Sequence, residues 1–309
     1  MLANQLDTAL AQVRKILGNT VNSDVELLYD ASHHIVDTPG KRLRPRITFL
    51  AYLAAGGTDL MEVAPIAAAI ELVHTATLVH DDINDHSLTR RGRPTVHAIW
   101  DRTFALLTGD FLFTKVYEMM APYGPEYNMI MADACVKLVE GETLQAIAAK
   151  NGEMDRESYR KIISRKTASL FEAGARMGAL RGGGSEQMVA AMQRFGHDLG
   201  VAFQIIDDVL DIVGDPEAMG KPAGADLAQG RGVLAVNSNG KGTNGATAVA
   251  ADPTQELINR VLETGAVDVA RFEADRIANR ALDALAEVPD SAAKTMLATL
   301  VAETLQRDH

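Results

Sequence analysis

Two short acidic clusters hold the residues best suited to chemistry. The first reads Leu78-Val79-His80-Asp81-Asp82-Ile83-Asn84-Asp85, and the second Phe203-Gln204-Ile205-Ile206-Asp207-Asp208-Val209-Leu210-Asp211. Each is a D-D-x-x-D set inside an apolar, helix-compatible run. An α-helix turns by about 100° per residue, so Asp85 lies one turn beyond Asp81, with Asp82 beside them. Asp207, Asp208 and Asp211 repeat the arrangement. Like charges so placed repel one another, and nothing in folding favours them. A divalent cation does: Mg²⁺ takes a few carboxylates, keeps waters and shares substrate phosphates. A solvated acidic turn would account for one such pattern, but two copies on separate apolar helices point to metal.

On the first helix Glu71, His74, Leu78, Asp81, Asp82 and Asp85 fall within about a third of the circumference, a face that suits a site lining better than a core. Gly200, Gln204, Asp207, Asp208 and Asp211 align in the same way on the second. If the two faces meet, their carboxylates surround a cleft holding too much negative charge to bury without cations.

The elements that must position these faces are helices. Almost every long stretch has helical period, with helices expected near residues 2–18, 21–36, 43–55, 60–85, 95–121, 125–150, 155–181, 185–213, 253–263, 267–287 and 290–307. Ser185 is placed to cap the helix after Gly182-Gly183-Gly184, and Asp290 or Ser291 the last one after Pro289. The polar, glycine-rich stretch Asn237 to Ala246 reads as a loop. No linker divides the chain. The expectation is one all-α domain over residues 1–309, a bundle of long helices around a deep central cavity.

Composition narrows the function classes. The chain has 309 residues, 47% of them hydrophobic, enough for a sizeable core, and its net charge of −11 argues against nucleic acid as a general partner. Cys135 is the only cysteine, so no intrachain disulfide can form, and a reducing compartment, the cytoplasm, is expected. No apolar run reaches the roughly 18 residues of a membrane span. Residues 1–18 read as an amphipathic helix through Leu6, Leu10, Val13 and Leu17, not as a signal peptide.

Further motifs run in a fixed order: Gly40-Lys41-Arg42-Leu43-Arg44-Pro45, Glu71-Leu72-Val73-His74, Arg90-Arg91-Gly92-Arg93-Pro94-Thr95, Lys166-Thr167, Phe203-Gln204, Gly220-Lys221-Pro222 and Asp226-Leu227. With the two acidic motifs they resemble the trans-isoprenyl diphosphate synthases, or polyprenyl synthetases, from Gly40 to the C-terminus. The resemblance implies head-to-tail condensation of isopentenyl diphosphate with an allylic diphosphate by a homodimer. It implies Mg²⁺, about three ions per active site, to neutralise the leaving diphosphate. Metal would be held by Asp81, Asp82, Asp85, Asp207 and Asp211, with Asp208 binding metal directly or orienting its water, and with Lys166 as a further catalytic group. Lys41, Arg44, Arg91 and His74 match the family's isopentenyl diphosphate site. Arg90, Lys166 and Lys221 match its allylic diphosphate site, with Thr167 and Gln204 near that substrate. The bidentate fork of arginine suits phosphate oxygens.

Short-chain members often carry an aromatic residue five positions before the first aspartate; here that position is Ala76. Val73, Ala76 and Thr77, with Ile70, would then flank a growing product of roughly C30 to C50, each helical turn of about 5.4 Å matching one prenyl unit. Phe111 or Phe113 could form the floor. A short-chain farnesyl or geranylgeranyl diphosphate synthase is the alternative within the family. A class I terpene cyclase fits less well, because it normally has a different second metal motif. A non-catalytic helical scaffold leaves the carboxylates unexplained. The chain departs from the family after Asp226-Leu227, where Gly230-Arg231-Gly232-Val233-Leu234-Ala235 replaces the usual glycine, lysine and Thr-Leu-Pro segment.

Overall fold

The structure is a computed structural model that describes residues 2–152, 154–214, 224, 232 and 253–307. It is all-α, as the period of the sequence requires. Among the described residues the helices are α1 (Leu2–Thr20), α2 (Glu26–Val36), α3 (Leu43–Ala54), α4 (Ala64–Asn84), α5 (Val96–Met120), α6 (Gly124–Asn151), α7 (Arg156–Ile163), α8 (Ser169–Arg181), α9 (Glu186–Val213), α10 (Pro253–Glu263), α11 (Ala266–Leu285) and α12 (Ala292–Leu305). A π turn, Ser164–Ala168, lies between α7 and α8. None of these helices is long and apolar enough to cross a membrane.

The boundaries differ from expectation where polar side chains compete for the backbone. The second helix starts at Glu26 rather than residue 21, and the Val25 N–H donates to Ser23 Oγ at 3.1 Å. The expected 60–85 helix divides into a short 3₁₀ turn, Leu60–Glu62, and α4, which begins with Pro65 in its first turn. In α5, Asp101 leaves helical geometry at φ 69°, and its carboxylate accepts from the Thr103 N–H at 2.7 Å, restarting the helix as an N-cap does. Ser185 accepts from the Met188 N–H at 3.2 Å and Ser291 from the Lys294 N–H at 3.1 Å. Asp290 instead receives the Lys294 ammonium at 2.9 Å.

The chain forms two compact units. One comprises residues 1–135, 170–196 and 284–298. Its centre is α4, which packs against α1, α3 and α5. Ala67, Ala68, Ala69, Ile70, Leu72, Val73 and Ala76 of α4 are all fully buried. A helix apolar on every side is a core helix, and each large aliphatic side chain so enclosed contributes about 1.5–3 kcal/mol. The same unit carries the only strands among the described residues, a hairpin that pairs Thr89 with Pro94 and Arg90 with Arg93. Arg91 (φ 52°) and Gly92 (φ 73°) form its turn, the double positive φ that matches strand twist.

The other unit comprises residues 136–169, 197–283 and 299–309. Ile205, Ile206, Val209 and Leu210 of α9 and Ala274, Ile277, Ala278 and Ala281 of α11 are buried in it. Arg160 Nη2 on α7 meets Glu273 at 2.6 Å, and Arg280 Nε on α11 donates to Asp198 on α9 at 3.1 Å.

Candidate active site

In the α4 unit, Asp81 and Asp82 end the helix and Asp85 is its C-cap residue, whose N–H donates to the Asp81 carbonyl at 2.8 Å. A helix C-terminus already carries partial negative charge, so a carboxylate cluster there raises the demand for a cation. Asp82 is 1% exposed and its Oδ1 accepts from Arg90 Nε at 2.8 Å. Its Oδ2 is buried with no hydrogen-bond partner among the described residues. Burial pushes the Asp82 carboxyl up to about 6; Arg90 pulls against that, while Asp81 and Asp85 add to it. An orphaned, desolvated carboxylate oxygen between two further aspartates suits a hard divalent cation. No group of three His, Cys, Asp or Glu side chains is preassembled around a metal position among the described residues.

Arginines gather one helical stretch earlier. The His74 imidazole is held well below its usual range, first by burial and then by Arg44, Arg91, Arg90 and Arg42. Arg42 and Arg90 are paired with Glu71 and Asp82, so Arg44 and Arg91 are the cations here best placed for an anion. The start of the 40–45 motif meets the Arg90–Arg91 hairpin directly: a Cβ at Gly40 would stand 2.6 Å from Arg91 Nη1. Arg44 also lies over the Phe171 ring at 4.7 Å, and Arg91 Nη1 donates to the Pro39 carbonyl.

Arg42, to which the sequence assigned no role, organises this half. It sits in left-handed geometry (φ 49°, ψ 43°) ahead of α3. Its Nη1 meets Glu71 at 2.7 Å, and its Nη2 donates to the Val36 carbonyl at 3.0 Å and the Thr38 carbonyl at 3.3 Å. Glu71, expected to line the site, is 5% exposed and serves as the buried partner of Arg42. His80 is likewise taken up by packing: it stacks on Phe113 at 6.0 Å and covers Gly109, where any Cβ would collide with the imidazole.

Val73 and Ala76 are fully enclosed, and Thr77, 8% exposed, donates to the His74 carbonyl at 2.8 Å. A small pocket in the same unit is lined by Phe113, Val116, Tyr117, Met120, Met131 and Cys135, among others. None of the three expected chain-length residues reaches it. Phe113 does, while Phe111 lies under Lys115.

In the other unit, the second acidic motif is tied to the π turn. Thr167 Oγ1 donates to Gln204 Oε1 at 2.7 Å, Gln204 Nε2 donates to Asp208 Oδ1 at 2.8 Å, and the Tyr159 hydroxyl donates to Asp208 Oδ2 at 2.6 Å. Lys166 Nζ meets Glu142 at 2.7 Å. The turn can sit so close to α6 because residue 141 is glycine: a Cβ there would stand 2.5 Å from the Lys166 nitrogen. Such π turns are frequent at functional sites. Asp207 is 40% exposed at its side chain and meets Arg307 Nη2 at 3.0 Å, the guanidinium lying 4.5 Å over Phe203. Asp211 is buried. Lys221 and its neighbours Gly220 and Pro222, Asp226-Leu227, residues 230–235 apart from Gly232, and the stretch 237–246 lie outside the described residues.

Tyr159, Glu142 and Arg307 carry no local signal in the sequence. Each joins the site through a partner far along the chain, and only Arg42 belonged to a motif already singled out.

Comparison with known proteins gives the family of the chain. The Polyprenyl synthetase family model matches residues 25–256. The short chain isoprenyl diphosphate synthase of Methanothermobacter thermautotrophicus is 36% identical over 298 residues, covering 92% of this chain and 91% of that protein. The octaprenyl diphosphate synthase of Escherichia coli is 36% identical over 310 residues, covering 97% and 96%. A solved structure of the Caulobacter crescentus polyprenyl synthase, complexed with calcium and isoprenyl diphosphate, superposes with a TM-score of 0.89 at 30% identity, covering 99% of this chain and 98% of that one. The chain is a prenyltransferase of isoprenoid biosynthesis and belongs to the polyprenyl synthetase family.

Proposed function

We propose that residues 1–309 act as one catalytic domain that condenses isopentenyl diphosphate with an allylic diphosphate, dependent on Mg²⁺, to give a trans-polyprenyl diphosphate. The observation that carries this reading is the buried Asp82 between Asp81 and Asp85, held by Arg90 Nε at 2.8 Å and with its Oδ2 lacking a hydrogen-bond partner among the described residues. Lys41, Arg44 and Arg91 bind the isopentenyl diphosphate; Arg90, Lys166 and Lys221 bind the allylic one. Asp81, Asp82, Asp85, Asp207 and Asp211 hold the metal, which when bound neutralises charge growing on the leaving diphosphate. The allylic C–O bond breaks, the isopentenyl π-bond closes on the allylic carbon, and a proton leaves to restore a double bond. Incubation with labelled isopentenyl diphosphate, an allylic primer and Mg²⁺ tests this: a longer labelled diphosphate is expected, and none in excess chelator.

The two substrates separate by residue. Arg44→Ala is expected to raise KM for isopentenyl diphosphate about tenfold, and Lys166→Ala to do the same for the primer, each removing a charge-assisted bond. Steady-state kinetics with each substrate varied checks this; equal effects on both substrates would refute the division.

The product proposed is long, roughly C30 to C50, one prenyl unit for each turn of about 5.4 Å along α4, on the strength of Ala76 five positions before the first aspartate. The full enclosure of Val73 and Ala76 favours a second reading, a short-chain product. Ala76→Phe distinguishes them. In a channel wall it shortens the product with the first condensation intact; in a packed core it costs about 1–3 kcal/mol of stability and leaves product length alone. Chromatography of products beside a thermal melt reads both.

A homodimer and a cytoplasmic location belong to the same proposal. The exposed apolar side chains Ile99, Phe104, Leu106, Leu107 and Tyr117 of α5 support a self-association face, which sedimentation would detect.

A further inference from the structure

We infer that Tyr159 is a positioning residue of the allylic diphosphate subsite: its hydroxyl fixes Asp208 and, through Gln204, fixes Thr167 and the turn that presents Lys166. The inference rests on the function proposed above.

Asp208 is 7% exposed, and both its oxygens receive protein donors, Gln204 Nε2 at 2.8 Å and the Tyr159 hydroxyl at 2.6 Å. A buried carboxylate held from two sides cannot turn toward a substrate without leaving a donor unmet, which is costly in the interior. The same two bonds fix Gln204: with its nitrogen committed to Asp208, its oxygen must face Thr167 Oγ1, 2.7 Å away. Thr167 lies within the π turn, where the regular i to i−4 ladder is interrupted, so a side-chain bond is an independent tether for that stretch. Lys166 precedes it by one residue and Tyr159 lies on α7, directly before the turn. Tyr159 itself is 4% exposed, so it acts on the subsite through this relay.

Tyr159→Phe removes one oxygen and keeps the ring. Titration calorimetry with Mg²⁺ and an allylic thiolodiphosphate, which resists ionisation, should show about tenfold weaker binding. KM for the allylic primer should rise in step while KM for isopentenyl diphosphate stays unchanged. Thr167→Val breaks the relay at its other end and should give the same split, the double variant being less than additive, as coupled sites are. A lower melting temperature with primer affinity unmoved overturns the inference, as does equal weakening of both substrates. Failure of the unmodified protein to bind the thiolodiphosphate overturns the proposed function with it. Binding by the unmodified protein that both variants retain in full overturns the relay alone.

Discussion

Asp81→Ala, and separately Asp207→Ala, is expected to lower kcat by about 10²- to 10³-fold, the range lost when one preorganised electrostatic stabiliser of a leaving group is removed. Helix content should not change. Asp81 ends α4 half-buried, and the Asp207 side chain is 40% exposed and meets Arg307. Neither change opens a core. Removing one negative charge from the end of α4 relieves repulsion with Asp82 and Asp85, so Asp81→Ala should melt no lower than the parent. Activity and stability therefore move apart, which a folding defect cannot mimic. Rapid-quench turnover with saturating substrates, beside circular dichroism, makes the test. Near-normal turnover in either variant would refute metal-assisted ionisation at these aspartates.

Arg42→Ala is the second large effect, and it falls on stability. The Arg42 and Glu71 side chains are only 8% and 6% exposed. Breaking such a pair leaves an uncompensated buried carboxylate, which costs about 3–5 kcal/mol. The carbonyls of Val36 and Thr38 lose their donor as well. The left-handed backbone at residue 42, unfavourable for a side-chain-bearing residue by about 1–2 kcal/mol, also loses the contacts that hold it. The midpoint of urea unfolding should drop accordingly. Arg42→Met combined with Glu71→Leu should recover most of the loss, because a well-packed apolar pair often replaces a buried ion pair at little cost. If the single change leaves the midpoint where it was, the pair does not carry the structure around α3.

The helices were legible because period and caps are local. Ser185, Ser291 and the apolar run of α4 mean in the fold what they mean in the sequence. The helical setting of the acidic motifs, at the C-terminal ends of α4 and α9, was legible for the same reason. What escaped is what joins residues distant in the chain. Glu71 lies on the face that carries His74 and Asp81, and only the arrival of Arg42, 29 residues earlier, makes it an internal counter-ion. Asp208 repeats its motif neighbours in type, yet Tyr159, 49 residues away, adds a second protein donor to that of Gln204. The hairpin at Thr89–Pro94 was missed because two-residue strands have no period to read. The kink at Asp101 had a signal, a capping aspartate ahead of Thr103 and Phe104, hidden inside an otherwise helical run.

The π turn at Ser164–Ala168 has an evolutionary consequence. A π turn holds one residue more than the same length of α-helix needs. Loss of a single codon there should leave a more regular helix. The same loss would carry Lys166 and Thr167 about 100° round the axis, away from Glu142 and Gln204. A deletion at this point of the gene is therefore expected to disturb the contacts of Lys166 and Thr167 more than the helices on either side.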